Sequence, residues 1–175
     1  MIKKKKGFTL VEMIIVMALT VVILGMVFGM FNTNNRIISD VDVKSTLQTE
    51  GQAIQENLSN IGMQAIGIES VTGENISGKE SLEEIKDIVI NSYNKDGKEC
   101  EFKIEHNERN FYINGKELSS NVESIKISPD LIEYKDNLDN VGTVEFNILL
   151  TKKKGYSDIK YPVTVKITFR NKGKE

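Results

Sequence analysis

The chain has 175 residues, a formal net charge of −2 and 39% hydrophobic residues, enough for one compact domain with an appendage and too little for two full-sized domains. Four of its cations are Lys3, Lys4, Lys5 and Lys6; without them the formal charge falls to −6, and so acidic a body argues against nucleic-acid binding. Cys100 is the sole cysteine, so an intramolecular disulfide is excluded, a β core must supply the stability, and the thiol itself reads as a small half-buried strand residue.

From Phe8 to Phe31 the sequence is apolar, with Glu12 as its one ionisable side chain. A helix of that length spans roughly 36 Å at about 1.5 Å per residue, enough to cross a bilayer. The lysine tetrad before it holds the N-terminus in the cytoplasm and sends everything after Phe31 outside. The run is longer than the core of a secretory signal and ends in Met30-Phe31-Asn32 without an Ala-x-Ala pattern, so cleavage after the helix is not expected. Glu12 stands near the start of the run, where an unpaired carboxylate costs roughly 2 to 3 kcal/mol. Cleavage between Gly7 and Phe8 supplies the missing cation: the new α-amino group of Phe8 lies one helical turn from Glu12, or beside the Glu12 of a neighbouring copy. A single-pass binding or sensory module that keeps its leader is the rival from another class, and it leaves Glu12 without a partner.

Residues 3 to 12, Lys-Lys-Lys-Lys-Gly-Phe-Thr-Leu-Val-Glu, followed by about twenty apolar residues, resemble the leader and N-terminus of type IV prepilins and type II secretion pseudopilins. The resemblance implies that a prepilin peptidase cuts after Gly7, that Phe8 is then N-methylated, and that Glu12 pairs with the amine of a neighbouring subunit. It also implies an assembly platform protein, an assembly ATPase and other pilin subunits as partners. The residues themselves show no nucleophile elbow, phosphate-binding glycine loop or paired His-carboxylate arrangement, so no enzyme activity, cofactor or metal is expected. One departure stands at Gly29, where many major pilins carry a proline that loosens the helix. Glycine costs a helix about 1 kcal/mol relative to Ala, so the position stays weak. Gly25 and Gly29 also form a small-xxx-small pair that permits close helix approach in a membrane.

Asn32 to Asn35 is polar and marks the exit from the bilayer. The helical period then resumes at Ile37 and Val41 and runs through Ile54, Leu58, Ile61, Ala65 and Ile68, an amphipathic stripe that needs a surface to lie on. One helix is therefore expected from Phe8 to about Ile66, with Gly51 and Gly62 as weak points. Val71 to Lys86 reads as a surface loop with a possible capping box at Ser81-Leu82-Glu83-Glu84.

Thereafter the period becomes two. Asp87 to Tyr93 and Glu99 to Glu105 flank the turn Asn94-Lys95-Asp96-Gly97, and Phe111 to Ile113 and Lys116 to Leu118 flank Asn114-Gly115. Val122 to Ser128, Leu131 to Tyr134, Thr143 to Leu150 and Tyr161 to Arg170 add further runs. Val163, Val165, Ile167 and Phe169 alternate with polar residues, so that strand buries one face, and the long helix can cover it. The order of these segments is similar to the heads of minor pilins and pseudopilins of the PilW or PulJ kind.

Three other features are weighed and set aside. His106 stands among Glu105, Asn107, Glu108 and Arg109 and reads as a solvated loop residue, without a second ligand at metal spacing. Asp136, Asn137, Asp139 and Asn140 lack the spacing of a calcium loop. Lys152-Lys153-Lys154 with Gly155 reads as a charged hairpin tip and only weakly as a contact for anionic polymers.

The expected architecture is thus α+β, a pilin fold: leader 1–7, assembly half 8–31, amphipathic half 32–67 and a β-rich head 68–175. The expected role is a structural subunit, a minor pilin, first held in the membrane with its head outside and then in a surface filament. A type II secretion or competence pseudopilin is the alternative within the same class.

Overall fold

The computed structural model describes residues 7–75, 82–93, 98–128, 138, 141–155 and 157–169. The chain enters one continuous helix, α1, from Leu10–Gln64, about 83 Å of rod at 1.5 Å per residue. No backbone break occurs at Gly25, Gly29, Gly51 or Gly62. The helix ends at Gln64, and Ala65 is already extended (φ −69°, ψ 142°). Ala65 and Ile68, which the helical stripe claims, are buried instead on the first strand. The two periods share these positions, and nothing between Gln64 and Ala65 punctuates the switch.

Eight strands follow among the described residues. β1 (Ala65–Asn75), β2 (Leu82–Tyr93), β3 (Glu99–Asn107), β4 (Asn110–Ile113) and β5 (Lys116–Ser119) form an antiparallel meander in that order, and β6 (Val122–Ser128), β7 (Thr143–Lys154) and β8 (Ser157–Thr168) form a second. The expected loop over 71–86 is therefore corrected: Val71↔Ile88 and Thr72↔Asp87 are paired ladder positions, and Leu82 to Glu84 are strand, not a helical turn. Gly78 and the serines at 77 and 81 lie outside the described residues. β1 carries four register shifts against β2, which explains why no clean alternation announces it.

The expected hairpins form. Asp87 to Tyr93 pairs with Glu105 to Glu99 in unbroken register, while the turn 94–97 lies outside the described residues, as does the run at 131–134. Asn114 (φ 50°) and Gly115 (φ 75°) both adopt the left-handed region between β4 and β5, as a two-residue I′ turn demands. One hairpin has no glycine to signal it: Asn107 pairs with Asn110, and Glu108 turns the chain at φ 55°.

That tight turn overturns the reading of His106. The residue falls inside β3, in phase with Ile104, and is only 6% exposed, with Nε2 unpartnered among the described residues. A polar neighbourhood hid a buried strand position. Cys100 is half-buried on β3 and free, as expected. A single apolar cluster joins α1 to both sheets, through Leu47, Ile54 and Leu58 from the helix, Ile88, Ile90 and Phe111 from one sheet, and Phe146, Ile148 and Val165 from the other.

Candidate assembly site

The apolar half of α1 is held by nothing in the head. Phe8 is 81% exposed, every residue from Leu10 to Phe31 is exposed, and the first buried helix residue is Val43. The helix is long and apolar enough at this end to cross a membrane. A protein in water rarely leaves so large an apolar surface open, so this arm requires lipid or other protein around it.

At the start of the arm the sequence Thr9-Leu10-Val11-Glu12 closes a capping box. Thr9 is the N-cap (φ −79°, ψ 154°), and its Oγ1 accepts from the Glu12 amide at 3.3 Å. Glu12 Oε2 in turn accepts from the Thr9 amide and from Thr9 Oγ1, each at 2.8 Å. Two of the four orphan N–H groups of the helix start are thereby satisfied. Thr9 is a site residue that the sequence reading passes over, though the T-x-x-E spacing announces it. Glu12 consequently has partners within its own chain, but both are neutral, and the charge itself stays uncompensated.

Phe8 immediately precedes the N-cap and Gly7 precedes Phe8, and an added Cβ at Gly7, Gly25 or Gly29 meets nothing within 4 Å. Gly25 and Gly29 lie one turn apart on the same exposed arm, and the i−4 carbonyl of Gly29 receives the Thr33 hydroxyl at 3.1 Å. Lys3, Lys4, Lys5 and Lys6 lie outside the described residues.

The second half of α1 is fixed to the head by close approach and by polar clasps. Gly51 and Gly62, expected as weak points, are where β8 touches the helix backbone. A Cβ on Gly51 would stand 2.8 Å from Val163 Cγ2, and one on Gly62 would stand 2.7 Å from Ile167 Cγ2. Glu50, half-buried, accepts from the Ser119 hydroxyl and from Asn121 Nδ2 at 2.8 and 3.0 Å. Nearer the membrane half, the β7–β8 tip grips the helix: Lys154 Nζ sits 2.6 Å from Asp42 Oδ2, Ser39 Oγ donates to the Lys154 carbonyl at 3.3 Å, and the Ser157 hydroxyl bonds both Ser39 and Asp40. The Lys154 ammonium holds the Asp42 carboxyl below the usual aspartate range.

These clasps give β8 its direction. Ser157 lies beside Ser39 and Asp40, and Ile167 lies beside Gly62. About 23 helix residues at 1.5 Å and ten strand residues at about 3.3 Å cover the same distance, near 34 Å. Strand and helix therefore run side by side in one direction, and the β7–β8 tip is the end of this unit that points toward the apolar arm.

Residues 2–28 match the family model described as the prokaryotic N-terminal methylation motif. No curated protein and no solved structure matches the chain. The match covers the lysine run and most of the apolar arm and does not extend to the head.

Proposed function

The chain carries the N-terminal methylation motif of the type IV pilin-like family on a long apolar helix that continues into an antiparallel β head, and from that premise we propose that it is a filament subunit processed between Gly7 and Phe8. The observation that carries this reading is the arm itself: an apolar rod with no contact to its own head, opening on a single carboxylate at Glu12. Lys3 to Lys6 keep the leader in the cytoplasm, the head folds outside, and prepilin peptidase removes residues 1–7 and methylates Phe8. An assembly ATPase acting through a platform protein then draws the subunit into a polymer in which arms pack on arms. The Phe8 amine of one subunit meets Glu12 of the next, and Gly25 and Gly29 let neighbouring helices approach closely. Within the class, a minor subunit of a pilus at the cell surface is the role put forward. Loss of the protein separates this role from its relatives, since a secretion or competence filament would lose export or DNA uptake instead of surface fibres.

The test is N-terminal mass analysis of protein extracted from membranes, together with Glu12→Ala. A chain beginning at methylated Phe8 is expected, and the variant should be cut normally but enter filaments poorly. An intact leader on the native protein would refute the processing step, and full incorporation of the variant would refute the pairing.

A further inference from the structure

The β7–β8 tip concentrates positive charge on an otherwise acidic protein. Residues 152–160 carry four lysines against Asp158, and the helix segment 36–44 that the tip grips carries Arg36 and Lys44 against Asp40 and Asp42. The net charge is +3 where the processed chain as a whole is near −6. Within this cluster Lys154 pairs with Asp42 and Lys160 with Glu123. Lys152 and Lys153 make no ion pair among the described residues, and Lys153 is exposed at the ladder position opposite Asp158, one pair before the turn. Ile37, Ile38 and Val41 on the gripped segment are exposed as well.

The height of this cluster above the membrane follows from the helix. If Glu12 marks the inner edge of the hydrocarbon, a core of about 30 Å ends near Asn32 after twenty residues at 1.5 Å each. Ile37 and Ile38 then stand roughly 8 Å farther out, within the headgroup layer of about 5 to 8 Å or at its edge. The Lys154–Asp42 clasp stands about 15 Å out, and the usual tilt of about 20° lowers it slightly. The lysines are thus within about one Debye length, about 8 to 10 Å, of the lipid phosphates. β8 runs away from this point alongside α1, so the rest of that sheet stands higher.

We infer that the β7–β8 tip, through Lys152 and Lys153, is a docking surface for anionic phospholipid headgroups that holds the head against the bilayer before assembly. This rests on the membrane-spanning stage of the reading above and on neither cleavage nor polymerisation. The occupant is lipid because the basic tip stands at the depth where the bilayer presents its phosphates, while Ile37, Ile38 and Val41 stand at a similar height on the side of the helix turned away from the tip. An acidic patch on a neighbouring subunit would satisfy the lysines but would leave the depth unexplained.

The test uses the full chain at one copy per lipid nanodisc, with a nitroxide at Asp158→Cys in a Cys100→Ser background, and a reference label at Thr168→Cys. Relaxation by a nickel-chelating lipid reports height. In discs containing phosphatidylglycerol the tip label should lie at the headgroups at 0.1 M salt and lift away at 1 M, where the Debye length falls to about 3 Å. In pure phosphatidylcholine it should stand off. Lys152→Ala with Lys153→Ala should lower the ratio of docked to free heads by about 25-fold, at about fivefold for each lysine. Equal height in both lipids, or no effect of the double substitution, would overturn the inference. So would tip protection that appears only when several copies share a disc, since the partner would then be another subunit. A chain that docks here but is never cut or polymerised would sink the filament reading alone.

Discussion

Replacing Gly62 with Ala isolates the contact that seats the helix on the head. The new Cβ would lie 2.7 Å from Ile167 Cγ2, 2.9 Å from Cγ1 and 3.2 Å from Cβ. No rotamer of Ile167 relieves this, because its own Cβ is among the three atoms and its χ1 is stiff. Ordinary carbon contact needs about 3.5 to 4.0 Å, so helix and strand must part by close to an ångström along a seam that both sheets share. Overpacking of this kind costs about 1 to 3 kcal/mol, and the gain in helix propensity from Gly to Ala returns at most about 1 kcal/mol. With two contacts under 3.0 Å the cost falls in the upper part of that range, about 2 to 3 kcal/mol, so the net expectation is a loss of about 1 to 2 kcal/mol, or roughly 2 to 8 °C in a chain of this size. Thermal unfolding of the detergent-solubilised subunit, followed by tyrosine fluorescence, reads it. Gly29→Ala is the internal comparison: nothing lies within 4 Å of its Cβ, so the same chemical change should leave head stability unaltered or slightly improve the helix. A Gly62→Ala subunit as stable as the native one would refute the close-approach argument. Ile167→Ala, which removes the two nearest atoms, should lose less in the Gly62→Ala background than alone.

Two further outcomes follow from the clasps. Glu50→Ala strips the acceptor from Ser119 and Asn121 and should cost about 1.5 to 3 kcal/mol, the usual worth of hydrogen bonds to a charged group; urea unfolding with an unchanged slope checks it. Asp42 should titrate below the ordinary aspartate value of about 3.9 because of Lys154. Its folded pKa is depressed, so the tip clasp is fully formed above that ordinary value and is lost as pH falls through the lower folded one. Carboxyl NMR of the native chain and of Lys154→Gln checks it, and an unchanged Asp42 titration in the variant would dismiss the clasp.

The N-terminal half was legible because its signals are local and dense: a cationic run, an apolar run of helix length and a single acid all lie in the first 31 residues. The strands with clean alternation, such as Val163 to Phe169, and the hairpin with Asn114-Gly115 were legible for the same reason. β1 was not, because its bulges break the period and its first residues continue the helical stripe. His106 misled because burial depends on strand phase, and the phase was set by a glycine-free turn at Glu108. Gly51 and Gly62 carried opposite meanings from sequence and structure: propensity alone marks a glycine as a flaw, and only the partner strand shows that a side chain there has no room. Glu50 gave no signal, since its partners are 69 and 71 residues away.

The capping box at Thr9 refines what Glu12 can do in a polymer. Cleavage before Phe8, as proposed, would leave the Thr9 amide and hydroxyl in place, so the box would survive processing and keep the helix start formed in a subunit waiting in the membrane. Both intrachain bonds fall on Oε2 and both donors are neutral. They lower the cost of holding a carboxylate near hydrocarbon without cancelling its charge. Since the charge is left uncompensated, the amine of a neighbouring Phe8 would still gain Coulombic attraction by meeting Glu12. Because Thr9 holds that carboxylate in one position, an arriving amine would find an acceptor of set position. In the proposed filament, the same box that steadies a lone subunit would give the polymer a defined point of register.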